Sequence, residues 1–105
     1  MEQYGVSVVI PSYNRREAVV RALDSVLSQD YPNLECIVVD DASIDGSGEM
    51  LRGLAGEREA LRVIELEQNA GQGAARNVGA RAARGRWVCF LDSDDELLPG
   101  SIESR

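Results

Sequence analysis

Asp92, Asp94 and Asp95 crowd together directly after the apolar run Trp87-Val88-Cys89-Phe90-Leu91. Carboxylates this close repel one another unless a cation sits among them. With oxygen donors only, the cation that suits them is Mg2+ or Mn2+. Two more polar clusters follow apolar runs in the same way. Asp40-Asp41 comes after residues 34–39, and Ser12-Tyr13-Asn14 after residues 6–10. Together these groups could hold a divalent cation against a diphosphate, with a ring to stack on a base and acids to accept from base or sugar donors.

Burying a carboxylate is costly, so acids that end an apolar run mark where a strand leaves a sheet. Strands are therefore expected at residues 6–10, 34–39, 61–66 and 88–91. Pro11 should stop the first, because it lacks an amide donor. The third alternates Leu61 and Val63 with Arg62, as a half-exposed edge strand would. The fourth, uncharged and rich in strand formers, reads as buried on both faces.

Between the strands the apolar period becomes helical. Val19, Leu23, Val26 and Leu27 form one stripe, with Asn14 and Glu17 as a capping box and Pro32 as the breaker after Gln29-Asp30-Tyr31. Asp45 suits the cap of a second helix carrying Met50, Leu51 and Leu54. Residues 74–84 read as a third helix, with Ala75, Val78, Gly79 and Ala82 on a face small enough to lie close to the sheet. Arg84 suits its negative end and Gly85 its left-handed cap. Leu97-Leu98-Pro99-Gly100 starts a further element.

A βαβαβαβ order with short connections calls for an α/β fold in three layers. The expected sheet is parallel, in the Rossmann-like order 3-2-1-4, with flanking helices. Strands one, two and four are then neighbours, and the three polar clusters meet at one crevice. In that sheet Cys36 and Cys89 flank strand one, too far apart for a disulfide.

The totals limit the alternatives. The 105 residues allow one small domain. A net charge of −7 argues against a nucleic-acid partner. No membrane segment and no signal-peptide pattern is present in this sequence, so a cytoplasmic location is expected. Two cysteines without a CxxC, and no histidine, remove Cys/His zinc sites and Ser-His-Asp triads. Gly46-Ser47-Gly48 and Gly71-Gln72-Gly73 complete neither GxGxxG nor a Walker motif. Each cluster has a plainer reading too. Asp40-Asp41 could start a turn, Asp94-Asp95 could cap a helix, and Arg76 could be a solvated surface residue.

Four motifs in order carry a resemblance: residues 6–15 (VSVVIPSYNR), residues 38–47 (VVDDASIDGS), Asn69-Ala70-Gly71 with Ala75-Arg76-Asn77, and Phe90-Leu91-Asp92-Ser93-Asp94-Asp95. They resemble the amino-terminal, nucleotide-sugar-binding half of family two glycosyltransferases, which have the GT-A fold. The resemblance implies metal-dependent, inverting transfer of a sugar from a nucleotide diphosphate-sugar, UDP-sugar by preference, to an acceptor hydroxyl. It places Pro11 and Tyr13 along the base pocket, Asp41 on the base and Asp40 beside it. Arg76 falls near the nucleotide, Asp92 towards the ribose and Asp94 on the metal, with Asp92 a second candidate ligand and Asp95 extending the run.

The family's general base and acceptor pocket lie downstream of this motif. Residues 1–105 are therefore expected to be the donor- and metal-binding part, with the base beyond Arg105 and no transfer by this chain alone. Strand four, left as an edge, is expected to drive homo-oligomer formation. The alternative is a non-catalytic nucleotide-binding or interaction module with a degenerate pocket. A nucleotidyltransferase is disfavoured, since Ser12-Tyr13-Asn14 stands where a glycine-rich, lysine-bearing loop belongs.

Overall fold

A computed structural model describes residues 4–29 and 33–95. Strands β1 (Tyr4–Ser12), β2 (Leu34–Asp40), β3 (Leu61–Glu65) and β4 (Gly85–Phe90) alternate with helices α1 (Arg16–Leu27), α2 (Ser47–Glu57) and α3 (Gln72–Ala82). All pairings are parallel and the order is β3-β2-β1-β4, as expected. Pro32 and residues 97–100 lie outside the described residues.

Successive side chains of a strand point to opposite faces, which divides the core in two. Val6, Val8, Ile10, Cys36 and Val38 pack on one face against Val19, Leu23 and Val26 of α1 and Leu51 of α2. Val9, Ile37 and Val39 pack on the other against Ala75 of α3. The small face of α3 serves as its composition suggests. A Cβ on Gly79 would run into the Val9 side chain, so glycine there sets how near α3 lies to the sheet. Cys36 and Cys89 both pair with Val8 from opposite sides and are free thiols. Burial, helped by the charge of Glu35, pushes the Cys36 thiol far up, so it stays protonated and inert.

Several local expectations are corrected. Pro11 does not end β1, which continues through the pairs Pro11↔Val39 and Ser12↔Asp40. The Ser12 carbonyl faces β2, accepting from Asp41 N, while that of Val9 faces β4, accepting from Leu91 N. Pro11 therefore turns its missing donor to the β4 side, where pairing ends at Val9↔Phe90, while the ladder to β2 runs past it. Asn14 makes no capping box; the N-cap of α1 is Arg15, without a side-chain cap. Instead Asn14, at φ 50°, accepts Ile44 N at its Oδ1 at 2.8 Å and donates its backbone N–H to Ser43 Oγ at 2.8 Å. It ties the loop after β1 to the loop after β2.

Helix α3 starts two residues before the expected 74 and ends at Ala82, and Gly85 is not its left-handed cap. Gly85 opens β4, where a Cβ would lie 2.6 Å from the backbone nitrogen of Ser7. Close approach, rather than a positive φ, is the reason for glycine. The amide of Arg84 is committed to Glu35 Oε2 at 2.7 Å.

The largest correction concerns β4. It was expected to be buried on both faces, yet Trp87 is 66% and Phe90 51% exposed. The helices cover β1 and β2, and β4 stands at the sheet edge. The strand buried throughout is β2.

Candidate functional site

The carboxyl ends of β1, β2 and β4 open into one cleft of about 240 Å³, lined by Pro11, Ser12, Tyr13, Arg15, Asp41, Gln72, Ala75, Asp92, Ser93 and Asp94. Pockets that enclose a whole small ligand run from roughly 300 Å³ upward, so this cleft suits part of a nucleotide-sugar. Of the residues singled out from sequence, Pro11, Tyr13, Asp41, Asp92 and Asp94 share the lining. Asp40, Arg76 and Asp95 are outside it.

Loop chemistry explains each placement. Asp41 is 4% exposed, and its carboxylate accepts Ala70 N at 2.7 Å and Gly71 N at 2.9 Å. The loop before α3 thus holds this acid at the cleft, and each oxygen keeps a further lone pair for a ligand donor. Asp40 turns away. Its carboxylate takes Ser43 Oγ at 2.6 Å and Ser43 N at 3.1 Å, which folds the turn after β2. Asp45 accepts Arg16 N at 3.1 Å and Ser47 N at 3.0 Å, fastening the starts of α1 and α2 together. The Ser47 hydroxyl also donates to it, and this bond is foremost in holding its carboxyl below the usual range. The expected capping role of Asp45 is met at Ser47, the first residue of α2, with Gly46 as the formal N-cap.

The acidic run after β4 is a turn closed by Asp95 N donating to Asp92 O at 3.0 Å. It brings one carboxylate oxygen from each of Asp92, Asp94 and Asp95 within 4.8 Å of one another. All three side chains are exposed, and their hard oxygens are of the type that Mg2+ or Mn2+ takes. Arginines already offset part of the charge. Arg15 Nη1 lies 3.2 Å from Asp94 Oδ2, and Arg76 Nη2 lies 3.5 Å from Asp92 Oδ1. Gln72 Nε2 donates to Asp92 Oδ1 at 2.9 Å.

Tyr13, 44% exposed, is part of the cleft lining. Ser12 is 3% exposed, and its hydroxyl has no hydrogen-bond partner among the described residues. Sequence reasoning gave no role to Arg15, Gln72 or Ser93. Arg15 directly follows the Ser12-Tyr13-Asn14 cluster, and that adjacency was the available signal. Gln72 was hidden because its helix was expected to begin at residue 74.

A family model described as Glycosyl transferase family 2 matches residues 7–104. The chain is 42% identical over 100 residues to the putative teichuronic acid biosynthesis glycosyltransferase TuaG of Bacillus subtilis, covering 95% of this chain and 40% of that protein. It is 43% identical over 97 residues to the succinoglycan biosynthesis protein ExoO of Rhizobium meliloti, covering 92% and 27% respectively. The chain thus spans well under half the length of these relatives. Among solved structures it superposes on S. aureus TarS 1-349 in complex with UDP-GlcNAc, with a TM-score of 0.86 and 34% identity over 95% of this chain and 29% of that one. It also superposes on the mannosyltransferase PcManGT from Pyrobaculum calidifontis in complex with GDP-Man and Mn2+, with a TM-score of 0.80 and 36% identity over 87% of this chain and 28% of that one.

Proposed function

The chain belongs to glycosyl transferase family 2, and from that premise we propose that it supplies the donor and metal site of an enzyme that moves a sugar from a nucleoside diphosphate-sugar to an acceptor hydroxyl. The donor is a UDP-sugar by preference, and the transfer inverts the anomeric carbon. The carrying observation is that Tyr13, Asp41 and Asp94, from the ends of three different strands, line one cleft. The similar structures solved in complex with UDP-GlcNAc and with GDP-Man and Mn2+ support the same reading.

In this reading Tyr13 and Pro11 flank the base, and Asp41 accepts from a base N–H, its own orientation fixed by the Ala70 and Gly71 amides. Asp92, steadied by Gln72, faces the ribose hydroxyls. Asp94, with Asp92 and Asp95 beside it, would hold Mg2+ or Mn2+, whose chemistry is to neutralise charge growing on the leaving diphosphate. Arg76 acts at the rim through Asp92, and Asp40 through the turn it folds. The base that takes the acceptor proton belongs on the acceptor side, and we place it beyond Arg105. A cytoplasmic setting is part of the proposal, supported by two free cysteines and by the lack of a membrane-length apolar helix among the described residues.

Titration calorimetry of UDP, GDP and dTDP, each with and without Mn2+, tests the proposal. UDP is expected to bind best, and more tightly with Mn2+. Absence of binding by all three would overturn it.

The proposal extends to a second copy of the chain at β4, whose outer edge carries no strand among the described residues and exposes Trp87, Val88 and Phe90. Such an edge templates pairing with another chain. Sedimentation is expected to show dimers growing with concentration, and Val88→Lys is expected to suppress them.

A further inference from the structure

Resting on the donor-site reading above, we propose that Arg15 couples the cation to the diphosphate: it holds Asp94 in the free chain and passes to the diphosphate when a divalent cation takes its place on that carboxylate. Charge makes the case first. The cleft lining contains three carboxylates, Asp41, Asp92 and Asp94, and among its described residues Arg15 is the one cation. A diphosphate entering so acidic a cleft needs positive charge on both sides of it. Asp94 with a metal supplies one, and the guanidinium supplies the other, with a planar fork that fits phosphate oxygens.

Geometry makes the second part. The Arg15 to Asp94 contact is 3.2 Å, with the two side chains 52% and 55% exposed. Ion pairs this open contribute little and exchange readily. The backbone beneath is fixed all round. The Arg15 carbonyl accepts Val19 N at 2.8 Å, Asn14 is pinned to the Ser43 loop, and Arg16 N is held by Asp45. The guanidinium therefore swings on an anchored base, between a carboxylate and the space that carboxylate borders. Arg15 competes with the cation for Asp94 and cooperates with it on the diphosphate. Linkage then requires opposite signs when Arg15 is removed: metal alone binds better, and nucleotide worse.

Calorimetry on the 105-residue chain reads both signs. With MnCl2 alone, Arg15→Ala is expected to bind about threefold tighter than the parent, since a competing charge has gone. With Mn2+ saturating, its affinity for UDP is expected to fall about tenfold, the loss of a charge-assisted pair. Uridine, which has no phosphate, should bind both alike. Arg15→Lys, keeping charge without the fork, should leave Mn2+ binding near the parent's and UDP binding between the two. An unchanged or weaker Mn2+ affinity in Arg15→Ala would overturn the coupling, as would equal losses for UDP and uridine. Those failures are distinct from a parent chain that binds neither UDP nor GDP, which would reject the donor-site reading and this inference with it.

Discussion

Replacing Glu35 with alanine is expected to destabilise the fold by about 3 kcal/mol, the low end of the cost of stripping one partner from a buried ion pair. Its carboxylate, 1% exposed, sits in the middle of the sheet under the far end of α3. Oε2 accepts Ser7 Oγ at 2.6 Å and Arg84 N at 2.7 Å, and Oε1 accepts Arg62 Nη1 at 3.0 Å. Ser7 Oγ in turn accepts Gly85 N at 2.8 Å, and Arg62 also reaches the last helical carbonyl, Ala82 O, at 2.8 Å. One acid therefore joins β1, β2, β3, the end of α3 and the start of β4. Alanine would leave the Ser7 hydroxyl, the Arg84 amide and the Arg62 guanidinium without their acceptor. Urea titration checks the figure. For a chain of this size, about 3 kcal/mol corresponds to roughly 12–24 °C in Tm.

The sign of the pH dependence separates this role from plain packing. Burial works to raise the Glu35 pKa, but the hydrogen bonds from Ser7, Arg84 and Arg62 outweigh it, and the net shift is downward from 4.5. A carboxyl lowered in the folded state binds fewer protons there than in the unfolded chain. Its contribution is therefore complete above pH 4.5 and lost as pH falls through the folded value. Asp45, also lowered, adds to the same acid loss. Glu35→Gln keeps the volume and drops the charge. The gap between parent and Glu35→Gln should be widest near neutrality and close in acid. A gap constant from pH 7 to pH 3 would show that the charge contributes nothing.

Glu35 also marks the limit of what could be read from residue order. A lone acid inside residues 34–39 was visible as an anomaly, since a buried carboxylate must find donors. Its donors lie 27, 28 and 49 residues away along the chain, and nothing local names them. Strand order was legible because short βα connections and right-handed crossovers leave few choices. The exposure of β4 was not. An apolar run reports what a strand would accept as neighbours, while its cover depends on which edge it occupies and which helices reach it. At the cleft, Tyr13, Asp41 and Asp94 were legible because the carboxyl ends of parallel strands share one rim. Arg15 was not, because spacing fixes where its Cα sits and says nothing of where a long side chain points. Asp40 and Asp41 show the same limit. Adjacent in sequence, one folds a turn through Ser43 and the other lines the cleft, held by the Ala70 and Gly71 amides, since β2 ends between them.

Asp94→Ala is expected to abolish the metal-dependent part of nucleotide binding while leaving the base contact intact. Removing a group that merely steadies a metal ligand costs about 10–100-fold in affinity, so losing the ligand itself should cost about a hundredfold or more for Mn2+. Asp92 and Asp95 remain within reach of the cation position. Two exposed carboxylates bind a divalent ion weakly, because each competes with water for a strongly hydrated cation. Asp41 and Tyr13 come from other strands and owe their positions to the Ala70 and Gly71 amides and to β1, none of which Asp94 touches. Uridine affinity should therefore match the parent's. The same substitution frees Arg15 from its 3.2 Å ion pair. Without Mn2+, UDP should then bind the variant at least as well as the parent, while with Mn2+ it should bind far worse. Calorimetry in the presence and absence of Mn2+ measures this crossing directly. If Mn2+ still tightened UDP binding in Asp94→Ala, the cation would have to rest on other ligands, and the assignment of Asp94 would fall while that of Asp41 stood.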